Sequence, residues 1–310
     1  MNWLTKYLDS SPRLRPYYLM WLRRTIKTIN NWPEEKFING VMECFERHMG
    51  YRFDLKNPVT FNEKIHWYKI YYHHKDLGRI TDKATFKDYI KERLGEGYTI
   101  PMLGVWTTVK DFLNDWESLP NEFVLKSNLM ANTRGVIVIK DKKNADLNKI
   151  KKQVKTWLKT RNTLINSWDC HFYCSTPKVL AEQYMEDKYG ELRDYKFYGY
   201  DGKVPYFKID YGRKTGHHAN YYNSDLQQLD VSPATSKNDN SVQVDLPEKI
   251  DEMFKIASEL SKGFPFVRVD FYYCNNKVLL SEMTFSPGGG VTHYPIEFDK
   301  ALGAPFVLPR

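Results

Sequence analysis

Between residues 33 and 95 apolar side chains recur three and four positions apart, and beyond Pro101 they recur at every second position, so the chain changes from a helical to an extended period. Within the helical part, "TFNEKIHWYKIYYHH" opens on Thr60 with Glu63 three residues later, a capping box, and Ile65, Tyr68, Ile70 and Tyr72 supply an apolar face. "TDKATFKDYIKERLG" predicts a second helix, with Thr81 or Asp82 as N-cap and Gly95 as stop. "YTIPMLGVWTTVKDF" and "NEFVLKSN" are short, β-branched and punctuated by Pro101, Gly104 and Pro120, which predicts strands. Strands and helices then alternate. A strand is expected over 135–140, a lysine-rich amphipathic helix over 146–160, a strand in "KVLAEQYME", a hairpin around Asp201-Gly202, a helix over 247–263 and a last hairpin over 264–290. Residues 232–243 are polar and read as an exposed loop, and no solenoid repeat is present.

The last hairpin, "FPFVRVDFYYCNNKVLLSEMTFSPGGG", breaks the pattern of a packed sheet. Arg268, Asp270 and Tyr272 share one face of its first strand; Val278, Leu280, Glu282 and Thr284 share one face of its second. Asp270 and Glu282 meet on a common face only if the turn around Asn275-Asn276 has an odd number of loop residues; a two-residue turn would set them on opposite faces. If they meet, two carboxylates repel unless a cation sits between them. Hard oxygens with Thr284 close by suit Mg²⁺ carrying a nucleotide phosphate, with Arg268 facing the same anion. The alternative is a solvent-facing strand on which Arg268 and Asp270 pair. Under the first reading Asp270→Asn or Glu282→Gln is expected to spare the fold, because each removes one member of a repelling pair.

Composition narrows the partners. The 310 residues carry a formal net charge of +8, which favours anionic company without choosing among nucleotides, phosphorylated lipids, acidic glycans and nucleic acid. The lysine run from 140 to 155 lacks interleaved stacking aromatics and contains Asp141 and Asp146, so it reads as a solvated face and no nucleic-acid partner is expected. Residues 13–27 mix arginines with interfacial aromatics but are too short to span a bilayer; a docked helix and peripheral contact with an anionic membrane both fit. Cys44, Cys170, Cys174 and Cys274 read as reduced thiols in a cytoplasm, and Cys170-His171-x-x-Cys174 has no second ligand pair to complete a zinc site. Trp67, Tyr68, Tyr71 and Tyr72 would serve core packing or stacking on sugar rings.

"VRVDFY…KVLLSEMTFSPGGG", with "FVLKSN", "LAEQYME", "DYKFYGYDGKV", "VTFNEKIHWYKIYY" and "TDKATFKDYI", resembles the ATP-grasp superfamily, specifically its TupA-like branch from bacterial surface-polysaccharide loci, over roughly residues 50–295. The resemblance implies an α+β ATP-grasp fold, two lobes gripping ATP, with a helical N-terminal extension. Its divisions would be 1–58 as that extension, 59–122 as a segment preceding the grasp, 123–187 as the small lobe and 188–310 as the large lobe. It also implies a carboxylate–amine ligase that passes through an acyl phosphate, using ATP and Mg²⁺. Lys126, Lys196 and Lys83 match phosphate-facing lysines, the last with the least defined role. Glu182, Gln183, Tyr184 and Met185 match the strand that meets the adenine edge, and Glu186 or Asp187 would reach the ribose. Asp270 and Glu282 match the metal ligands, with Thr284 where the superfamily more often has asparagine, and Arg268 matches the residue that steadies the acyl phosphate.

One departure stands out: after the lysine strand the chain reads "SNLMANTRG", with the single glycine Gly135, where a glycine-rich phosphate loop is expected. Arg134 or Asn132 side chains would then substitute, or ATP would bind differently or weakly; Asn128, two residues after Lys126, is a further nucleotide-binding candidate. Gly288, Gly289 and Gly290, together with His217, His218 and Asn220, fall where the acceptor would lie. That acceptor would be a uronic acid of a glycan or an amino-acid carboxylate, joined to an amine, at the cytoplasmic face of the inner membrane. A glycosyltransferase, a kinase-like relative and a non-catalytic relative stay open as alternatives.

Overall fold

The computed structural model describes residues 33–130, 135–159, 168, 176–212, 216–233, 242 and 244–309. Residues 13–27, Cys170, His171, Cys174, Asn132, Arg134 and most of 232–243 lie outside them. The described chain forms two α+β lobes with separate cores, led by helices.

The helices are α1 (Glu34–Met49), α2 (Phe61–Tyr71), the single turn α3 (Leu77–Thr81) and α4 (Phe86–Leu94). The capping box at α2 is present: the Thr60 hydroxyl accepts the Glu63 N–H at 3.3 Å, and the Glu63 carboxylate accepts the Thr60 N–H at 3.1 Å. Tyr68 and Tyr72 stack with ring centroids 4.1 Å apart inside the core, which excludes both from a sugar platform. The second helix starts later than expected. Phe86 follows Thr85 with no side-chain cap, and Asp82 turns instead toward Asn128 and Lys178.

The small lobe is an antiparallel sheet of β1 (Met102–Trp106), β2 (Phe123–Ser127), β3 (Val136–Ile139) and β4 (Val179–Gln183), in the order β1-β4-β2-β3. Helices α5 (Val109–Asn114) and α6 (Leu147–Lys159) cover one face, burying Trp106, Phe112, Phe123, Leu125, Val154 and Trp157. The α5 segment was expected to be strand. Thr108 caps it by accepting the Asp111 N–H at 3.1 Å, so local capping overrides the β-branched run.

The large lobe is a sheet of β5 (Asp194–Tyr200), β6 (Lys203–Tyr211), β7 (His218–Asn223), β8 (Gln228–Leu229), β9 (Val267–Cys274) and β10 (Lys277–Thr284), in the order β10-β9-β5-β6-β7-β8. Helix α7 (Ile250–Ser261) packs on the face carrying Phe197, Phe207 and Phe271. On the other side, α2 and α8 (Ile296–Gly303) cover part of the sheet, with Phe61 edge-on to Phe266 at 4.9 Å. The two helices touch so closely that a Cβ on Gly303 would lie 2.7 Å from the Phe61 nitrogen.

Register in this sheet is set by turn and bulge together. Both hairpins close on two residues with positive φ, Asp201-Gly202 (43° and 86°) and Asn275-Asn276 (51° and 59°), as the primed turns require. Each return strand then carries one extra residue. On β6 it falls at Val204–Pro205, between the pairs Tyr200↔Lys203 and Tyr198↔Tyr206; on β10 it is Ser281, between Leu280↔Phe271 and Glu282↔Asp270. The condition that the two carboxylates meet only across an odd-numbered turn is therefore wrong. A two-residue turn is followed by a bulge, which brings Glu282 opposite Asp270 while Val278 and Leu280 stay on the core face, apart from Glu282.

Candidate active site

The register places one row of side chains straight across the large sheet: Glu282 on β10, Asp270 on β9, Lys196 on β5, Lys208 on β6 and Tyr221 on β7, each directly opposite the next. Arg268 and Thr284 form the neighbouring pair. This face looks into a cavity of about 800 Å³ whose opposite wall is the small-lobe sheet, through Val124, Lys126, Val136, Val138 and Glu182.

The cation between the two carboxylates is a side chain of the protein. Arg268 donates to both oxygens of Asp270 at 2.6 Å, and its Nη2 lies 3.3 Å from Glu282 Oε1 and from Thr284 Oγ1. Lys196 Nζ reaches Asp270 Oδ2 at 2.7 Å, Asp194 at 3.2 Å and Asp210 at 3.7 Å. Asp210 in turn meets Lys208 at 3.1 Å and His217 at 3.5 Å. Burial pushes the Asp270 carboxyl up, but Arg268 and then Lys196 outweigh it and hold it below the ordinary carboxylate range. Burial pulls Lys196 down and its aspartates, Asp194 first, raise it further, so its ammonium stays charged. Lys208 goes the other way: burial, aided by Lys196 and Arg268, lowers it despite Asp210. The expectation that Asp270 is one member of a repelling pair fails, because it is the anion of a buried ion-pair network.

From the other wall, Lys126 Nζ lies 2.5 Å from Glu182 Oε2 and Lys87 Nζ 2.6 Å from Glu182 Oε1, and Lys87 also donates to the Ile100 carbonyl. Burial raises Glu182 and the two lysines, Lys126 first, lower it below its ordinary value. Lys83 donates to the Met130 carbonyl at 3.2 Å and lies 3.9 Å from Glu282 Oε2. Lys83, Lys126, Lys196, Arg268 and Glu282, scattered over 200 positions of sequence, thus line one cleft.

Other expected site residues divide. Gln183, Tyr184, Met185 and Glu186 line the cavity. Glu186 accepts from Tyr184 at 2.5 Å and pairs with Lys140 at 3.2 Å, whereas Asp187 is corrected: its carboxylate accepts the backbone N–H groups of Tyr189, Glu191 and Arg193 and holds a turn. The side chain of Asn128 is likewise committed, donating to Asp82 and the Thr176 carbonyl and accepting the Lys178 N–H. His217 joins the cleft network through Asp210. His218 and Asn220 do not: they pair with Tyr211 and Ile209, whose parity puts them on the sheet face opposite Asp210. Gly288 and Gly289 line the cavity, but Gly290 is buried where a Cβ would meet Ile65 at 2.6 Å. All three glycines have φ between 60° and 67°, and the Gly289 carbonyl accepts from the buried Lys69 at 2.5 Å.

Three cleft residues were missed by the sequence reading, Asp194, Lys208 and Asp210, as was Lys87, which pairs with Glu182 without lining the cavity. Pro205 was the available signal for two of them, since a proline inside a strand marks a bulge and the bulge decides which side chains of β6 face the cleft.

A hard dication fits the donor set on one condition. Glu282, with a side chain 36% exposed, and Thr284 present oxygens to the cleft, while Asp270 is fully covered by Arg268 and becomes a ligand only when that guanidinium shifts. Among the described residues no cluster of three His, Cys, Asp or Glu forms a closed metal cage.

A family model described as TupA-like ATPgrasp matches residues 63–307. Solved structures with similarity to the chain include D-alanine–D-alanine ligase from Helicobacter pylori (14% identity, 74% of this chain and 61% of that one, TM-score 0.42). Others are N5-carboxyaminoimidazole synthetase from Staphylococcus aureus complexed with ADP (15%, 75% and 53%, 0.41) and D-alanine–D-alanine ligase from Bacillus anthracis (18%, 67% and 57%, 0.38). The chain spans between 53% and 61% of the length of these proteins. No curated protein matches it.

Proposed function

The chain belongs to the TupA-like ATP-grasp family, and from that premise we propose that it is an ATP-dependent carboxylate–amine ligase whose acceptor is a uronic acid of a surface-polysaccharide precursor or an amino-acid carboxylate. The observation that supports the reading best is the charged row Glu282–Asp270–Lys196–Lys208 facing Lys83 and Lys126 across one cavity. Cations on both walls match the charge of a triphosphate, and an apolar patch of Val124, Val136 and Val138 next to Gln183–Met185 offers a slot for a flat base.

In this reading Lys126, oriented by Glu182, and Lys83 hold the phosphates from one wall and Lys196 from the other, so no rearrangement is needed when charge moves to the γ-phosphoryl group. The carboxylate oxygen attacks the γ-phosphorus and ADP leaves. The amine then attacks the acyl carbon, inorganic phosphate leaves and an amide forms. Arg268, planar and bidentate, is the group suited to the acyl phosphate and to the oxyanion of the tetrahedral species. Mg²⁺, which Glu282 and Thr284 would hold, with Asp270 joining once Arg268 shifts, would supply charge neutralisation on the phosphates when bound. Gly288 and Gly289 border the acceptor side.

The test is ADP release from purified protein with ATP, MgCl₂, galacturonate or glucuronate, and a panel of amines including hydroxylamine. Release only when carboxylate and amine are both present supports the ligase. ADP with the sugar acid alone favours a kinase, and absence of any ATP-induced thermal shift would sink the nucleotide reading altogether.

A further inference from the structure

The outer face of α6 carries Lys149, Lys151, Lys152, Lys155 and Lys159, all exposed, and the helix contains no acidic residue. Among the described residues none of the five forms an ion pair, whereas Lys91 pairs with Glu96 at 2.7 Å, Lys262, capping α7, with Glu259 at 2.6 Å and Lys300 with Glu297 at 3.0 Å; single exposed lysines such as Lys110 and Lys255 also lack a carboxylate, but only α6 sets five together. Spacings of three and four residues (149/152, 152/155, 151/155, 155/159) set like charges side by side, which weakens a helix. The nearest acid preceding the helix, Asp146, is used as its cap, accepting the Lys149 N–H at 3.0 Å. The opposite stripe, Ile150, Val154 and Trp157, is buried in the small-lobe core, so the helix cannot insert and can only lie flat.

We propose that this face is a docking surface for an anionic lipid bilayer. The patch holds lysine and no arginine. Bidentate recognition of a single carboxylate or phosphate calls for guanidinium, whereas an array of hydrated point charges about 15 Å long suits a diffuse field of headgroups. The helix packs on the side of the small sheet away from the cavity, so docking leaves the cleft open. No described helix is long and apolar enough to cross a membrane, so surface attachment is electrostatic.

The full chain is sedimented with sucrose-loaded vesicles of phosphatidylcholine alone or with about 30% phosphatidylglycerol, at 50 and 300 mM NaCl. Pelleting is expected with the anionic vesicles only, falling more than tenfold at the higher salt. Each lysine near such a surface is worth roughly fivefold in partitioning, so K152E/K155E/K159E should lose at least a hundredfold. A control, K91E/K262E/K300E, changes net charge equally and should stay within threefold of wild type; thermal midpoints check that both variants are folded. The proposal is overturned if anionic vesicles do not bind, if the control loses as much, or if the α6 variant binds like wild type, which would move contact elsewhere, including residues 13–27. Binding to soluble polygalacturonate in place of vesicles would overturn it too.

Discussion

At the scale of single residues, the site is governed by which charges are buried and which are merely lined up. Asp270 is wholly buried between Arg268 and Lys196, so Asp270→Asn leaves two cations with an uncompensated loss and should cost about 3–5 kcal/mol in urea unfolding, besides abolishing ATP turnover. Glu282, a third exposed and only 3.3 Å from one Arg268 nitrogen, is different: Glu282→Gln should abolish turnover with stability within about 0.5 kcal/mol of wild type. Equal stability losses for the two variants would contradict the network. Glu182 gives a pH signature. Its folded pKa is depressed below the unfolded value of about 4.3, so its stabilisation is complete above that value and drains away as pH falls through the folded pKa. The stability gap between wild type and Glu182→Gln, roughly 3 kcal/mol at pH 7, should therefore narrow below about pH 4, measured by denaturant titration at each pH.

At the scale of elements, the bulge on β10 decides which face the residues after Leu280 take. An unbroken register that kept Ser281 would set Ser281 opposite Asp270 and turn Glu282 toward the α7 face opposite Val269, where an unpaired carboxylate has no partner; deleting Ser281 instead leaves Leu280↔Phe271 followed directly by Glu282↔Asp270, so Glu282 and Thr284 keep their face. Such a deletion should therefore retain a nucleotide-induced thermal shift; its loss would show that the bulge itself, and not the pairing of Glu282 with Asp270, makes the site. This is also where the limit of sequence reading lies. The α2 capping box, the Asp201-Gly202 turn and the alternation around Asp270 are local and were legible because each is fixed by residues within four positions. The bulge was not: "VLLSEM" alternates equally well in either register, and only the fit of Leu280 to the core beside Phe271, with its N–H bonded to the Tyr98 carbonyl at 2.7 Å, selects one. The same blindness hid Lys208 and Asp210 and left the resemblance alone to nominate His218 and Asn220, which lie on the other face.

At the scale of the whole molecule, the lobes have separate cores, and what joins them across the cleft is polar. Asp82, buried in the segment between α3 and α4, accepts from Asn128 Nδ2 at 3.0 Å and Lys178 Nζ at 2.9 Å, the first just beyond β2 and the second just before β4. That tie fixes where Lys83, the next residue, stands relative to Glu282 on the far wall. Asp82→Ala removes the carboxylate that Lys178 pairs with and one of the two acceptors of the Asn128 amide, at a cost of about 2–4 kcal/mol, but the loss falls on the junction and spares both cores. Thermal unfolding followed by hydrogen exchange at small-lobe amides such as Leu125 and Ala181 should therefore separate from that at large-lobe amides such as Phe197 and Val269 in the variant and coincide with it in wild type. If ATP bridges the walls as proposed, saturating MgATP should bring the two curves of the variant back together, because a ligand that binds only the assembled cleft adds its binding free energy to the coupling between lobes. Curves that stay apart with nucleotide bound would mean that ATP touches one wall only, and the grip assigned to Lys126 and Lys196 together would have to be given to one of them.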